Sequence, residues 1–151
     1  MTTHSDPLAP AYQTARRWLT AIAEQLGTED HHYVYRVLRT WLHLVRDRLT
    51  VQSAAHFAAQ LPELLRGVYF DGWKPSRVPV RYDAATFTVL FAEGATISPN
   101  DVPAAASAVS AALDSLCSPG QLEHVFTLLP AALRGELEFG TPVRPTSVRR
   151  R

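Results

Sequence analysis

The sequence predicts an all-α fold, a tandem repeat of a four-helix unit packed as antiparallel helical bundle(s). Three observations predict it. Apolar residues recur at a helical period in almost every segment between proline or glycine breaks, which is the mark of one buried helix face. The string Leu61-Pro62-Glu63-Leu64-Leu65-Arg66-Gly67 returns as Leu129-Pro130-Ala131-Ala132-Leu133-Arg134-Gly135, a constant offset of 68 residues. That offset also pairs Thr50 with Ser118, His56 with His124 and Gly72 with Gly140, so that seven of the 23 residues in 50–72 are identical in 118–140. Self-similarity at a fixed period marks one supersecondary unit used twice.

The elements follow in order. Residues 1–10 are polar, hold two prolines and read as a flexible N-terminus. From Ala11, Trp18, Leu19, Ile22, Ala23 and Leu26 fall on one face, and Gly27 is a C-cap. Val34, Val37, Leu38, Trp41, Leu42, Val45 and Leu49 make the broadest apolar stripe in the chain, with Thr28 as the expected cap. Thr50 caps a shorter helix over 51–60 that buries Ala54, Phe57 and Ala58. Pro62 cannot continue that helix but suits the first turn of another, which is expected to bury Leu64, Leu65, Val68 and Tyr69. Residues 73–82, with Pro75 and Pro79, form the linker.

The second unit repeats this order. Phe87, Leu90 and Phe91 supply its first stripe; Phe87–Phe91 is also the one β-prone window, and its partner under the offset reads as helix. Ser98-Pro99-Asn100-Asp101 and Ser118-Pro119-Gly120-Gln121 are start signals with Ser as cap and Pro next. Val102, Ala105, Ala106, Val109, Ala112, Leu113 and Leu116 form the long stripe, and its alanines predict close helix approach. Leu122, Val125, Phe126 and Leu129, then Leu133 and Leu137, complete the unit up to Gly140. The expected organisation is thus a helical domain over 11–140 made of repeats 11–72 and 83–140, followed by a flexible basic tail over 141–151.

Composition narrows the function classes. With 46% hydrophobic and 19% charged residues the chain has the apolar content of a globular core, which a disordered chain lacks. Taking Arg144, Arg149, Arg150 and Arg151 from the 15 basic side chains leaves 11 against 14 acidic ones. A body of that sign argues against a nucleic-acid surface, which needs clustered cations to displace counterions. One cysteine, Cys117, permits no internal disulfide and no cysteine metal cluster, and its apolar context predicts a buried side chain. No apolar run has the length of a membrane span or a signal core, so the expected location is the cytoplasm.

Leu42-His43-Leu44-Val45-Arg46-Asp47-Arg48-Leu49, followed by Ala58-Ala59-Gln60-Leu61-Pro62, Leu65-Arg66-Gly67, Tyr69, Gly72 and Trp73, resembles the signature of a bacterial family, domain of unknown function 2267. The resemblance implies an all-helical repeated domain. It brings no established activity or catalytic residue to carry across.

Few side chains are spaced for chemistry. His43 and Asp47, four residues apart on one helix, have metal-ligand spacing, as do Asp30, His31 and His32. A catalytic zinc site usually needs three protein ligands and no His-Glu-x-x-His type motif exists here, so the reading preferred for the first pair is a His–Asp hydrogen bond. His56 and His124 each precede a Leu-Pro break by one turn, where an imidazole can donate to carbonyls that proline frees. Arg66 and Arg134 are equivalent and can either satisfy helix-terminal carbonyls or meet an anionic partner. Tyr69, Phe70 and Trp73 either line the groove between repeats or pack its seam. No nucleophile elbow, catalytic triad or glycine-rich phosphate loop is present.

The expectation is therefore a non-enzymatic protein with no cofactor, no catalytic residue and no metal site. It acts as a protein-interaction module on an unknown protein partner or on itself, without membrane or nucleic acid, through a groove at Arg66, Tyr69, Trp73 and Arg134. The alternative is a small-ligand- or metal-binding helical bundle that uses the same inter-repeat groove.

Overall fold

The computed structural model of the chain describes residues 5–139; the expected Gly140 stop, the basic tail at 141–151 and the first four residues lie outside them. Among the described residues are eight α-helices and no strand: α1 (Ala9–Leu26), α2 (His31–Arg48), α3 (Val51–Ala58), α4 (Glu63–Phe70), α5 (Ala84–Ala95), α6 (Val102–Leu116), α7 (Gln121–Thr127) and α8 (Ala131–Leu137). No described helix is long and apolar enough to cross a membrane. The β-prone window Phe87–Phe91 lies inside α5.

The helix ends show which local signals prevailed. Gly27 closes α1 in the left-handed region at φ 67°, as its lack of a Cβ allows. α1 begins at Ala9, two residues before the expected start, because Pro10 sits in the first turn, where no N–H is needed. Asp30 and not Thr28 caps α2, accepting from the His32 and Tyr33 N–H groups at 3.1 and 3.2 Å, while Thr28 Oγ1 accepts from Asp30 N. Thr50 caps α3 as expected. Its counterpart Ser118 does not cap α7; Gly120 precedes that helix at φ 81° and the Ser118 N–H instead reaches Gln60 Oε1 at 3.0 Å. Ser98 caps a 3₁₀ turn, Pro99–Asp101, and α6 follows it. Pro103 has no N–H to offer the Pro99 carbonyl, so this first turn cannot close as α-helix, and Val102 N bonds there instead.

Two expected core residues lie outside. Leu64 is 47% and Leu90 38% exposed, because Leu61, Leu65 and Tyr69 define the buried stripe around α4, and Phe87, Phe91 and Ala95 that of α5. The remaining stripes converge on one hydrophobic cluster fed by both halves of the chain. Helix pairing explains why there is one core and not two. α2 runs along α5 and α1 along α6, and both contacts exceed those of α1 with α2 or α5 with α6. At the centre Trp41 is fully buried, and its indole N–H donates to Ser110 Oγ of α6 at 3.0 Å. The Ser110 hydroxyl in turn donates to the Ala106 carbonyl at 3.0 Å, so every polar side-chain atom of this buried pair is matched.

Arg46 is the other buried polar anchor, 4% exposed. One Nη1 donates to the Tyr69 and Asp71 carbonyls, each at 2.8 Å, and Nε to Asp47 Oδ1 at 2.9 Å. A cation from α2 thereby satisfies the C-terminal end of α4, where carbonyls lack helical partners.

Candidate interaction groove

A depression of about 930 Å³ opens where the connector crosses from one half of the chain to the other. Three segments wall it. The end of α2 and start of α3 contribute Arg48, Thr50 and Ser53; the connector contributes Pro79, Arg81, Tyr82 and Asp83; the α7–α8 break contributes Leu128, Pro130 and Leu133. Its walls come from both halves of the chain, and none of Arg66, Tyr69, Trp73 and Arg134, the residues expected to line a groove, is among them.

The connector is fixed to α2. Val80 N donates to the Asp47 carbonyl at 2.6 Å, Arg48 Nη1 returns a bond to the Val80 carbonyl at 3.1 Å, and the Tyr82 hydroxyl donates to the Leu44 carbonyl. Asp47 lies in the last turn of α2, where carbonyls have no intrahelical donor, and the connector provides one. The Arg48 guanidinium lies 5.8 Å from the Tyr82 ring centre, and Tyr82 stacks on Phe87 at 6.3 Å. Arg48 Nε is buried and has no partner among the described residues. Burial pushes the Tyr82 hydroxyl well above the usual phenol range. Asp83 caps α5 by accepting from Thr86 N at 2.8 Å, and this bond holds its carboxyl below the usual range. The groove thus offers Arg48 and Arg81 as cations, with Asp83 committed to its helix. Leu128, 45% exposed, supplies an apolar contact.

The sequence-predicted site residues are scattered. Tyr69 is fully buried, with its hydroxyl on the Ala54 carbonyl at 2.9 Å, and so belongs to the core and not to a groove wall. Trp41, Phe57, Tyr69, Phe70 and Trp73 follow one another with ring centres 6.4, 5.8, 5.0 and 5.2 Å apart, so the aromatic cluster is packing that ends at Trp73. The Trp73 indole N–H is buried and unpartnered among the described residues. Arg66 donates from Nε to the Ala58 carbonyl at 3.0 Å and from Nη2 to the Leu61 carbonyl at 2.8 Å. It does at the Leu61–Pro62 break what His56 was expected to do. Arg134, its counterpart, instead pairs with Glu138 at 2.9 Å and lines a smaller depression with Asp114, Glu123 and Phe126.

Neither metal-spaced set is assembled. His43 Nε2 meets the Val68 carbonyl at 2.7 Å, and Asp47 is taken by Arg46, so the His43–Asp47 bond does not form. Burial holds the His43 pKa below the usual imidazole value; the Val68 carbonyl opposes this. The Asp30 carboxylate is used as a helix cap. Among the described residues no group of three or more His, Cys, Asp or Glu is placed to hold an ion. Cys117 is buried, and burial with the nearby Asp114 charge pushes its thiol up to about 11.

The groove residues were missed in the sequence for a physical reason. Arg81 and Pro79 sit in a segment without period, and Leu128 reads as an extra leucine beside the buried Leu129. Only the path of the connector brings them together.

A family model described as "Uncharacterized conserved protein (DUF2267)" matches residues 15–135. No curated protein matches the chain.

Proposed function

The chain belongs to this uncharacterized family, and from its own geometry we propose that it is a non-enzymatic protein-interaction module. Its docking surface is the groove between the connector and the α7–α8 break. The observation that carries this reading is the composition of the groove: two cations, Arg48 and Arg81, beside exposed Leu128 in a depression of about 930 Å³. Such a wall suits an extended partner segment that carries carboxylates next to an apolar residue. The partner is a second protein or a second copy of this chain. The offset of 68 residues supports a duplicated four-helix unit as the origin of the groove: α2 shifted by that offset spans the 3₁₀ turn plus α6, and α4 falls on α8. The module is read as cytoplasmic.

Site-specific photocrosslinking in cells tests the reading. A photoreactive residue at Leu128 is expected to capture a discrete partner or a second copy, and Arg81→Glu is expected to reduce the capture. Val89, 52% exposed in a separate depression, is the control position. Equal capture from Val89, or capture indifferent to Arg81→Glu, refutes the groove.

A second reading, a small-ligand site in the same groove, is favoured by its volume, which lies within the range of about 300–1,000 Å³ for ligand pockets. Native mass spectrometry of the purified chain separates the two: a retained mass lost in Arg81→Glu supports the ligand.

A further inference from the structure

His56 and His124 are equivalent under the 68-residue offset, and the fold brings them side by side. They sit on α3 and α7, the short helices that pack against each other across the two halves. Their rings are 6.4 Å apart, centre to centre, at 74°. Both residues are exposed, and neither ring hydrogen-bonds any other described residue, which leaves the imidazole nitrogens open. The rings border a depression of about 210 Å³ with Gln52, Ser53, Val125 and Leu128.

From this geometry we propose that His56 and His124 form a two-histidine site for a borderline transition-metal ion, Zn²⁺ or Cu²⁺, that clamps α3 to α7. Imidazole nitrogen is a preferred ligand of both ions. Metal–nitrogen bonds of about 2.0–2.1 Å put the two ring centres about 5 Å apart at a tetrahedral angle and about 6.4 Å apart when the ion lies between them on a line. The observed separation is at the open end of that range. A tetrahedral ion draws the rings together by about 1 Å, which χ1 and χ2 rotations of two exposed side chains supply. Water completes the coordination, and Gln52 and Ser53 line the same depression. Ser53 and Leu128 also line the larger groove, so an ion held here sits beside it. The site rests on the histidine pair and stands whether or not the groove docks a protein.

Titration of the untagged, metal-free chain with ZnCl₂, followed by calorimetry and thermal unfolding, tests it. One equivalent of zinc is expected to bind and to raise Tm. His56→Ala and His124→Ala are each expected to abolish both effects, and the double variant to lose nothing more. Both side chains are exposed, so these variants keep the core. With Cu²⁺, paramagnetic resonance is expected to show two nitrogen ligands in the wild type and one or none in the variants. No binding by the wild type overturns the proposal. So does binding that survives both single variants but disappears in His31→Ala/His32→Ala, since it then belongs to the start of α2.

Discussion

Gly94→Ala is expected to destabilise the protein although alanine is the better helix former. Gly94 lies in α5 where that helix crosses α2, and a Cβ built there meets Thr40 Oγ1 at 2.8 Å and Thr40 Cγ2 at 2.9 Å. Thr40 has little room to yield. It is 8% exposed, branched at Cβ, and its hydroxyl donates to the Arg36 carbonyl at 2.8 Å. Helix propensity alone favours alanine by about 1 kcal/mol, whereas forcing a methyl into a packed contact costs about 1–3 kcal/mol. The net expectation is a loss of about 1 kcal/mol, or roughly 2–4 °C in Tm for a chain of this size. Gly67 and Gly135 provide the contrast. Both are helical, and a Cβ at either meets nothing within 4 Å. Alanine at these two sites is expected to stabilise by about 0.4–1 kcal/mol. Urea unfolding followed by far-ultraviolet circular dichroism measures all three variants. The double variant Thr40→Ala/Gly94→Ala adds a coupling test, with recovery of about 1 kcal/mol relative to the sum of the singles. Gly94→Ala as stabilising as Gly67→Ala would refute the close α2–α5 contact.

Ser110→Ala leaves the Trp41 indole N–H buried without an acceptor and is expected to cost about 1–3 kcal/mol in urea unfolding; a neutral result means that the bond is not made. Because burial holds the folded His43 pKa below its ordinary 6.5, the unfolded chain binds the extra proton first as pH falls. Stability present above that value is therefore lost below it, and His43→Gln is expected to flatten this acid slope; an unchanged slope removes His43 from the account. Burial raises the Tyr69 and Tyr82 hydroxyls, so the unfolded chain ionises first above the ordinary value of 10.0, and stability is expected to fall as pH rises past it. Tyr69→Phe and Tyr82→Phe should each reduce that alkaline loss. Cys117, with its thiol raised to about 11, is expected to resist iodoacetamide at pH 8 until denaturant is added, and fast native labelling would contradict its burial.

Much of the helical order was legible because each helix carries its own periodic stripe and its own breaks. Gly27, Pro62 and Thr50 act within one turn of chain, so their effect is readable without any partner. Thr28 was misread because Asp30, two residues on, accepts from the His32 and Tyr33 N–H groups; Ser118 was misread because α7 starts only after Gly120, which takes φ 81° and gives no side-chain cap. Leu64 and Leu90 were misread because each stripe is wider in sequence than the face that its partners cover. The candidate site was nearly illegible. Arg66 and Arg134 share a motif and an offset, yet one reaches backbone carbonyls and the other a glutamate, and position 138, where that glutamate stands, is Phe70 in the first copy.

Local sequence by itself determined the number, order and approximate bounds of the helices, since hydrophobic period, caps and proline breaks act over a few residues. Tertiary structure decided which helices pair. α1 lies along α6 and α2 along α5, so both halves drain into one core, and no periodicity along the chain encodes so distant a partner. The same pairing set His56 against His124 and drew the connector over α2 to form the groove. Burial of apolar area is non-directional, and the final arrangement is the one in which the stripes cover one another while Trp41, Ser110 and Arg46 keep their hydrogen bonds.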